Sequence, residues 1–296
     1  MRDGIFMLNW TRTSRQFWRT VPPSSIPTKQ CVHELFLNTL EALAVQRGRP
    51  LRVLDAGCGD GSVAIALAQQ KGPWDTGDES PLVGSIVGID INEAGINCAT
   101  AKCAESKLQN RASFAIADVT GPLDGVLRAI DGAAPILSSE STCGSTSGGM
   151  FDVVLAQLLI SIVGGVCARQ QMLTNFRALL CMRSTMGMQV DGPVCHSGLL
   201  LCSASGDSAS VNEKYRKLYD TDAMLTGECR TYISRDASSG EALYLTHHFD
   251  EHELHTNIAN AGFNADTIKI ANSEECSSRR PNERAVFLYA VAEAEC

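Results

Sequence analysis

Apolar runs of four to six residues alternate along the chain with longer stretches whose apolar positions recur at helical spacing. That alternation predicts an α/β architecture with a mostly parallel sheet. Val32, Leu35, Phe36, Leu40 and Leu43 mark an amphipathic helix over 29–46. A strand at 51–55 then leads into a helix over 62–70, and a strand at 85–90 into a helix over 93–108. Further strands are predicted at 112–117, 151–156 and 198–203, with one helix running from the fourth strand to about Leu180. Beyond Ser208 the pattern is less regular. It gives a polar helix around Tyr215, a strand at 242–246, a helix over 250–261 stopped by Gly262, and strands near 265–270 and 285–291.

The polar interruptions are as informative as the runs. Residues 72–81, rich in Gly, Pro and acidic side chains, predict a solvated loop. The Ser/Thr/Gly tract within 133–149 has too little apolar surface to fold alone and is expected to be an insertion, and 182–197 is irregular as well. One domain over 48–296 is expected, preceded by a segment and helix over 1–47 and carrying a second insertion near 206–249.

Composition narrows the function classes. The 296 residues are 44% hydrophobic, ample for a packed core, and the formal net charge of −8 disfavours bulk nucleic acid or an anionic membrane as partner. No apolar stretch approaches membrane-spanning length. Twelve cysteines are scattered without a C-x-x-C pair, so neither a zinc site nor a disulfide framework is expected, and reduced thiols suit an intracellular, cytoplasmic location. The first twenty residues mix Trp10, Phe17 and Trp18 with arginines. They carry no acidic residue after Asp3, which leaves an organellar presequence open beside a segment packed on the domain.

Chemistry enters at Val53–Ser62, VLDAGCGDGS, where a strand runs into glycines at 57, 59 and 61 with an acid, Asp55, just before them. A dinucleotide turn, G-x-G-x-x-G, needs its third glycine where Ser62 stands. The stretch instead resembles the first motif of the class I S-adenosylmethionine-dependent methyltransferases. Three further positions fall in order: Asp90 and Ile91 after the second strand, Asp118 and Val119 after the third, and Gln157 after the fourth, FDVVLAQ. The Ala261-Gly262-Phe263 turn near the end is similar to that family's late turn. Two features depart from the pattern. Asp90 lies 35 residues after Asp55 instead of the ~20 of a compact unit, with the loop at 72–84 taking up the surplus, and no Gly-Gly turn precedes the fifth strand.

The resemblance implies a three-layer α/β/α Rossmann-like sheet of seven strands, the last antiparallel, and S-adenosyl-L-methionine as cofactor. It implies a binding set of Trp18, Asp55, Ala56, Gly57, Cys58, Gly59, Asp60, Asp90, Ile91, Asp118, Val119 and Gln157. In that set the turn amides and the next helix N-terminus face the methionine moiety, Asp90 accepts from the ribose hydroxyls, Ile91 lies on the adenine, Asp118 meets the adenine amino group, and Gln157 lies under the sulfonium. Trp18 and Arg19 resemble a lid over the methionine end. The implied activity is methyl transfer to oxygen, nitrogen or carboxyl of a small-molecule acceptor. A protein methyltransferase and a non-catalytic cofactor-binding regulatory subunit are the alternatives, and a nicotinamide oxidoreductase is disfavoured by Asp55 and Ser62.

A sulfonium methyl is already activated, so catalysis needs an aligned lone pair and a base only if the acceptor must lose a proton. Candidate bases are Tyr215, Tyr219, Tyr244, His247 and His248, and the capping insertion is expected to choose the acceptor. His248, His252 and His255 carry i, i+4-type spacing, but nothing completes a metal site, and none is expected. Arg279 and Arg280 are a further candidate anion contact.

Overall fold

The computed structural model of the chain describes residues 3–22, 25, 32–74, 80–133, 150–182, 197–277 and 280–295. The Ser/Thr/Gly tract, the irregular stretch after Met182 and the pair Arg279–Arg280 therefore lie outside the residues whose side chains are described, as do Pro23 and Pro27.

Among the described residues seven strands form one sheet: β1 (Leu51–Ala56), β2 (Val83–Asp90), β3 (Ala112–Ile116), β4 (Val153–Gln157), β5 (Gly198–Ser205), β8 (Lys269–Ser277) and β9 (Arg280–Ala294). The order is β3-β2-β1-β4-β5-β9-β8. The first five are parallel, and β9 runs antiparallel to both β5 and β8. Strands β6 (Thr231–Arg235) and β7 (Ala242–His247) make a separate antiparallel pair. The crossovers are α3 (Ser62–Gln69), α4 (Glu93–Glu105), α5 (Leu123–Ala133), α6 (Leu159–Ile162) with α7 (Val166–Cys181), and α9 (Glu251–Asn260); α1 (Asp3–Thr20), α2 (Glu34–Arg47) and α8 (Glu213–Thr226) complete the set.

Strand periodicity sorts the core onto two faces. Leu54, Val87, Val154 and Leu200 pack with Val126 and Ile130 of α5, Met172 and Phe176 of α7, and Leu254 and Ile258 of α9. Val53, Ile86, Val153 and Leu201 point the other way, onto Phe36 and Leu40 of α2, Ala64 and Leu67 of α3, and Tyr215 and Tyr219 of α8. Each fully buried side chain of this size contributes about 1.5–3 kcal/mol. At the edge away from the strand C-termini, Asp152 takes a two-pronged hydrogen bond from Arg49 (2.8 and 2.7 Å) and another from the Arg52 amide, which ties the entry to β1 onto β4.

Four elements correct the expectations from pattern. Residues 265–267 form a 3₁₀ turn, capped by Asn264, so the eighth strand starts only at Lys269. The helix expected to run unbroken after β4 is interrupted at Val163–Gly165. Helix α5 was hidden by Gly125 and Gly132, poor helix formers, although Val126 and Ile130 keep a buried stripe. Strand β6 was hidden inside a region that reads as irregular because it finds its partner in β7, several residues downstream. The loop after α3 is pinned at its base by a bridge between Lys71 and Pro81.

Candidate functional site

The C-terminal ends of the parallel strands open into one cavity of about 280 Å³. In open parallel sheets this edge, where strand order reverses, is where ligands bind; here the reversal lies between β1 and β4. Of the twelve residues in the expected binding set, eleven line the cavity. Ala56 does not: strand alternation turns its side chain into the core beside Leu54.

The glycine turn is shaped by backbone needs. Gly57 and Gly61 have φ of 74° and 75°, a region that side chains disfavour. A Cβ on Gly61 would also sit 2.6 Å from that of Ala99. The turn amides do not face a ligand as expected. Gly57 and Cys58 donate to the Ile89 carbonyl (2.8 and 3.1 Å), Gly59 to Asp90 Oδ2 (2.9 Å) and Gly61 to the Cys58 carbonyl (2.9 Å). These donors stitch the turn onto β2, because a turn this tight brings them within reach of the neighbouring strand end. Asp60 is held by Lys102 of α4.

Three further acids face the cavity in different states. Asp55 is buried, and its Oδ2 has no hydrogen-bond partner among the described residues. Burial and then the nearby Asp90 raise its pKa to about 7. Asp90 is also pushed up by burial, against hydrogen bonds from the Asn92, Gly59 and Ile91 amides. Its Oδ2 takes the Gly59 amide at 2.9 Å and its Oδ1 the Asn92 amide at 2.8 Å. Asp118 accepts from the Thr120 amide and hydroxyl on one oxygen and from Arg15 Nε, at 3.0 Å, on the other. At the end of β4, Gln157 Oε1 is a second buried acceptor without a partner among the described residues. Leu158 follows with φ 59°, a strained value for a leucine, its amide held by the Ser203 carbonyl and hydroxyl at 3.0 Å.

Helix α1 roofs the cavity. Thr11 donates to the Gly164 carbonyl (2.9 Å), Ser14 Oγ accepts from the Leu245 amide (3.0 Å), and Arg15 Nη2 donates to Thr120 (2.7 Å). Asn92 caps α4 through Gly95 and donates its amide to the Trp18 and Val21 carbonyls (2.9 and 2.8 Å). Phe17 and Trp18 pack on Tyr244, with ring centroids 4.8 and 4.7 Å away.

The hairpin of β6 and β7 separates the candidate bases by position. Tyr244, Thr246 and His248 share one parity and line the cavity together with Tyr232, the register partner of Thr246. His247 has the opposite parity and does not reach the cavity. It sits between Thr231 (2.6 Å) and Glu253 (2.9 Å). His248 lines the cavity, but its Nδ1 is 2.6 Å from the Tyr219 hydroxyl and the ring also bonds the Gly206 backbone. Burial, then the neighbouring His247, lowers it to about 3, so it is neutral at physiological pH with its proton-accepting nitrogen engaged. Tyr219 itself does not line the cavity, whereas Tyr215 does.

Thr11, Ser14, Arg15, Thr120, Leu158, Tyr232, Thr246 and Phe287 line the cavity without having been anticipated. Only Asn92, which holds the roof, carried a local signal, as a cap residue directly before a helix. Among the described residues no group of three metal-ligating side chains occurs, and no helix is long and apolar enough to cross a membrane.

Residues 49–180 match the sequence model of a family described as a methyltransferase domain. A solved S-adenosylmethionine-dependent methyltransferase from Methanosarcina mazei is 20% identical over 88% of this chain and 97% of its own, with a TM-score of 0.62. Magnesium protoporphyrin IX methyltransferase from Synechocystis, solved with its cofactor, is 17% identical over 88% of this chain and 79% of its own, at a TM-score of 0.44. No curated protein matches in sequence. Residues 49–180 are thus a methyltransferase domain, which makes the chain an enzyme, and its fold is that of the solved S-adenosylmethionine-dependent methyltransferase from Methanosarcina mazei.

Proposed function

We propose that the methyl acceptor is a small molecule held in the same cavity as the cofactor, over the β5–β9 half of the sheet. The observation that carries this reading is the division of the cavity wall by strand. Strand ends β1, β2 and β3 supply Asp55, Gly57–Asp60, Asp90–Ile91 and Asp118–Val119. Strands β5 and β9 and the 206–249 insertion supply Ser205, Tyr215, Tyr232, Tyr244, Thr246 and Phe287, and Gln157 stands between the two sets.

The residues present suit the cofactor. Asp90, at the cavity wall, is placed to accept from the ribose hydroxyls, with Ile91 beside it for the adenine face. Asp55 and Gln157 are buried acceptors in want of a positive or donating partner, which the ammonium and sulfonium of the methionine moiety provide. Asp118 and Val119 border the adenine position, where Asp118 also anchors α1 through Arg15. The bound donor supplies an already activated methyl group. The chain's own task is to orient the two reactants and keep water out, and α1 does the latter as a lid.

Radiolabelled S-adenosylmethionine incubated with a cell extract resolved by size tests the acceptor class. Label recovered in low-mass products is expected. Label recovered in protein would favour the protein-methylating alternative, and cofactor binding without any transfer would favour a regulatory subunit.

A further inference from the structure

We infer that the acceptor atom is an uncharged nitrogen on a planar ring, of the imidazole or pyridine kind, and that the chamber built by the β6–β7 hairpin, α8 and β9 is shaped for the cation it becomes. This rests on the methyl-transfer reading above and specifies its substrate.

The first observation is the wall. Tyr232, Tyr244 and Thr246 occupy one face of the hairpin, Tyr215 closes it from α8, and Phe287 enters from β9. Tyr215 lies 6.0 Å from Tyr232 and 4.9 Å from His248, centroid to centroid, and Tyr232 lies 5.4 Å from His248. At this spacing the rings pack on one another, tilted or edge to face, and present the chamber with an aromatic wall.

The second is where charge stands. The charged side chains lining the cavity, among the described residues, are Arg15, Asp55, Asp60, Asp90 and Asp118. All belong to α1 or to the β1–β3 half, and Arg15, the cation among them, is committed to Asp118. A carboxylate or phosphate acceptor would be buried among tyrosines with no counter-charge, at a cost of several kcal/mol.

The third is that neither histidine among the candidate bases is free to take a proton from an acceptor in the chamber. A hydroxyl acceptor must shed its proton, yet His247 faces away and His248 is tied to Tyr219 and Gly206. A ring nitrogen needs no base. Its lone pair forms the N–CH₃ bond as the S–CH₃ bond breaks with its electron pair left on sulfur. The positive charge moves from sulfur to nitrogen, no proton moves, and the negative faces of the surrounding rings stabilise it where it arrives.

Calorimetric titration of the full chain saturated with S-adenosylhomocysteine tests this with three ligands of matched shape: N-methylquinolinium, 1-methylnaphthalene and 1-naphthoate. The cation is expected to bind at least ~10-fold tighter than the neutral hydrocarbon, and naphthoate weakest. Tyr232→Leu should erase most of the cation preference and Tyr232→Phe should keep it. Equal affinities, a preference for the anion, or a preference untouched by Tyr232→Leu would overturn the inference. So would labelled-methyl transfer to 1-naphthol or naphthoate in preference to quinoline. Failure of S-adenosylhomocysteine itself to bind in the first titration would instead strike the methyl-transfer reading.

Discussion

Arg15 Nε lies 3.0 Å from Asp118 Oδ2, so the acid that ends β3 in the cofactor half of the cavity also latches the N-terminal helix across it. On the proposed cofactor placement, seating of the cofactor and closure of α1 would share one carboxylate. Arg15 is more than a third exposed, so Arg15→Ala should lower global stability by less than ~1 kcal/mol. Its effect should appear in kinetics, as a several-fold faster release of S-adenosylhomocysteine in stopped-flow fluorescence. Unchanged release would remove the latch.

Asn92 joins three backbone segments at once, the first turn of α4 and the carbonyls of Trp18 and Val21. Asn92→Ala deletes a helix cap and leaves two buried carbonyls unpaired. The expected loss is ~1–3 kcal/mol in urea unfolding. Limited proteolysis should then cut within α1 first, since the rest of the sheet keeps its packing.

Asp55 makes the ligand-free protein pH-sensitive. Below about pH 4 its carboxyl is protonated in folded and unfolded chains alike, and it adds no cost. Between about pH 4 and 7 the unfolded chain gives up the proton while the folded chain keeps it, so stability falls as pH rises through that window. Three pH units correspond to roughly 4 kcal/mol. Asp55→Asn should flatten this slope and raise the melting temperature of ligand-free protein at pH 8, with little change at pH 4. Parallel melting curves for the two proteins would contradict the buried, unpartnered carboxylate. Asp90 shifts in the same direction and should contribute a residual slope.

Arg169 is almost wholly buried, donating to Glu228 (2.6 Å) and to the Val163 carbonyl. Glu228 stands 3.7 Å from His247, which is bonded to Glu253. Burial pushes Glu253 up, but the hydrogen bonds and charges of His247 and Arg230 outweigh it and bring it down to about 2. This network fastens the 206–249 insertion to α7 and α9. Arg169→Ala should cost ~3–5 kcal/mol, because Glu228 is left without its buried partner, and Arg169→Met should cost less. Equal losses would show that the charge lost in both variants, and not the packing that methionine restores, is what matters there.

The β1–β3 half of the cavity was legible because its residues end strands. A run such as Val87–Ile89 closing on Asp90, or Phe114–Ala117 closing on Asp118, announces both the strand and the polar group at its mouth. The glycine turn was legible as a turn, but not the destination of its amides, which depends on how close Ile89 and Asp90 come in space. The acceptor half was largely hidden. Tyr232 and Thr246 become neighbours only once β6 and β7 pair, and a one-residue difference in parity separates His248, at the cavity, from His247, outside it. The roof was least readable, since Ser14 meets Leu245 more than two hundred residues away, and no local pattern encodes that contact.

The most direct test is calorimetric titration of the folded protein and of Asp90→Ala with S-adenosylmethionine, with a nicotinamide dinucleotide as comparison. One S-adenosylmethionine per chain should bind, Asp90→Ala should weaken it by ~1.5–3 kcal/mol, and the dinucleotide should not bind. Saturable dinucleotide binding, or unchanged S-adenosylmethionine affinity in Asp90→Ala, would contradict the placement of the cofactor over β1–β3.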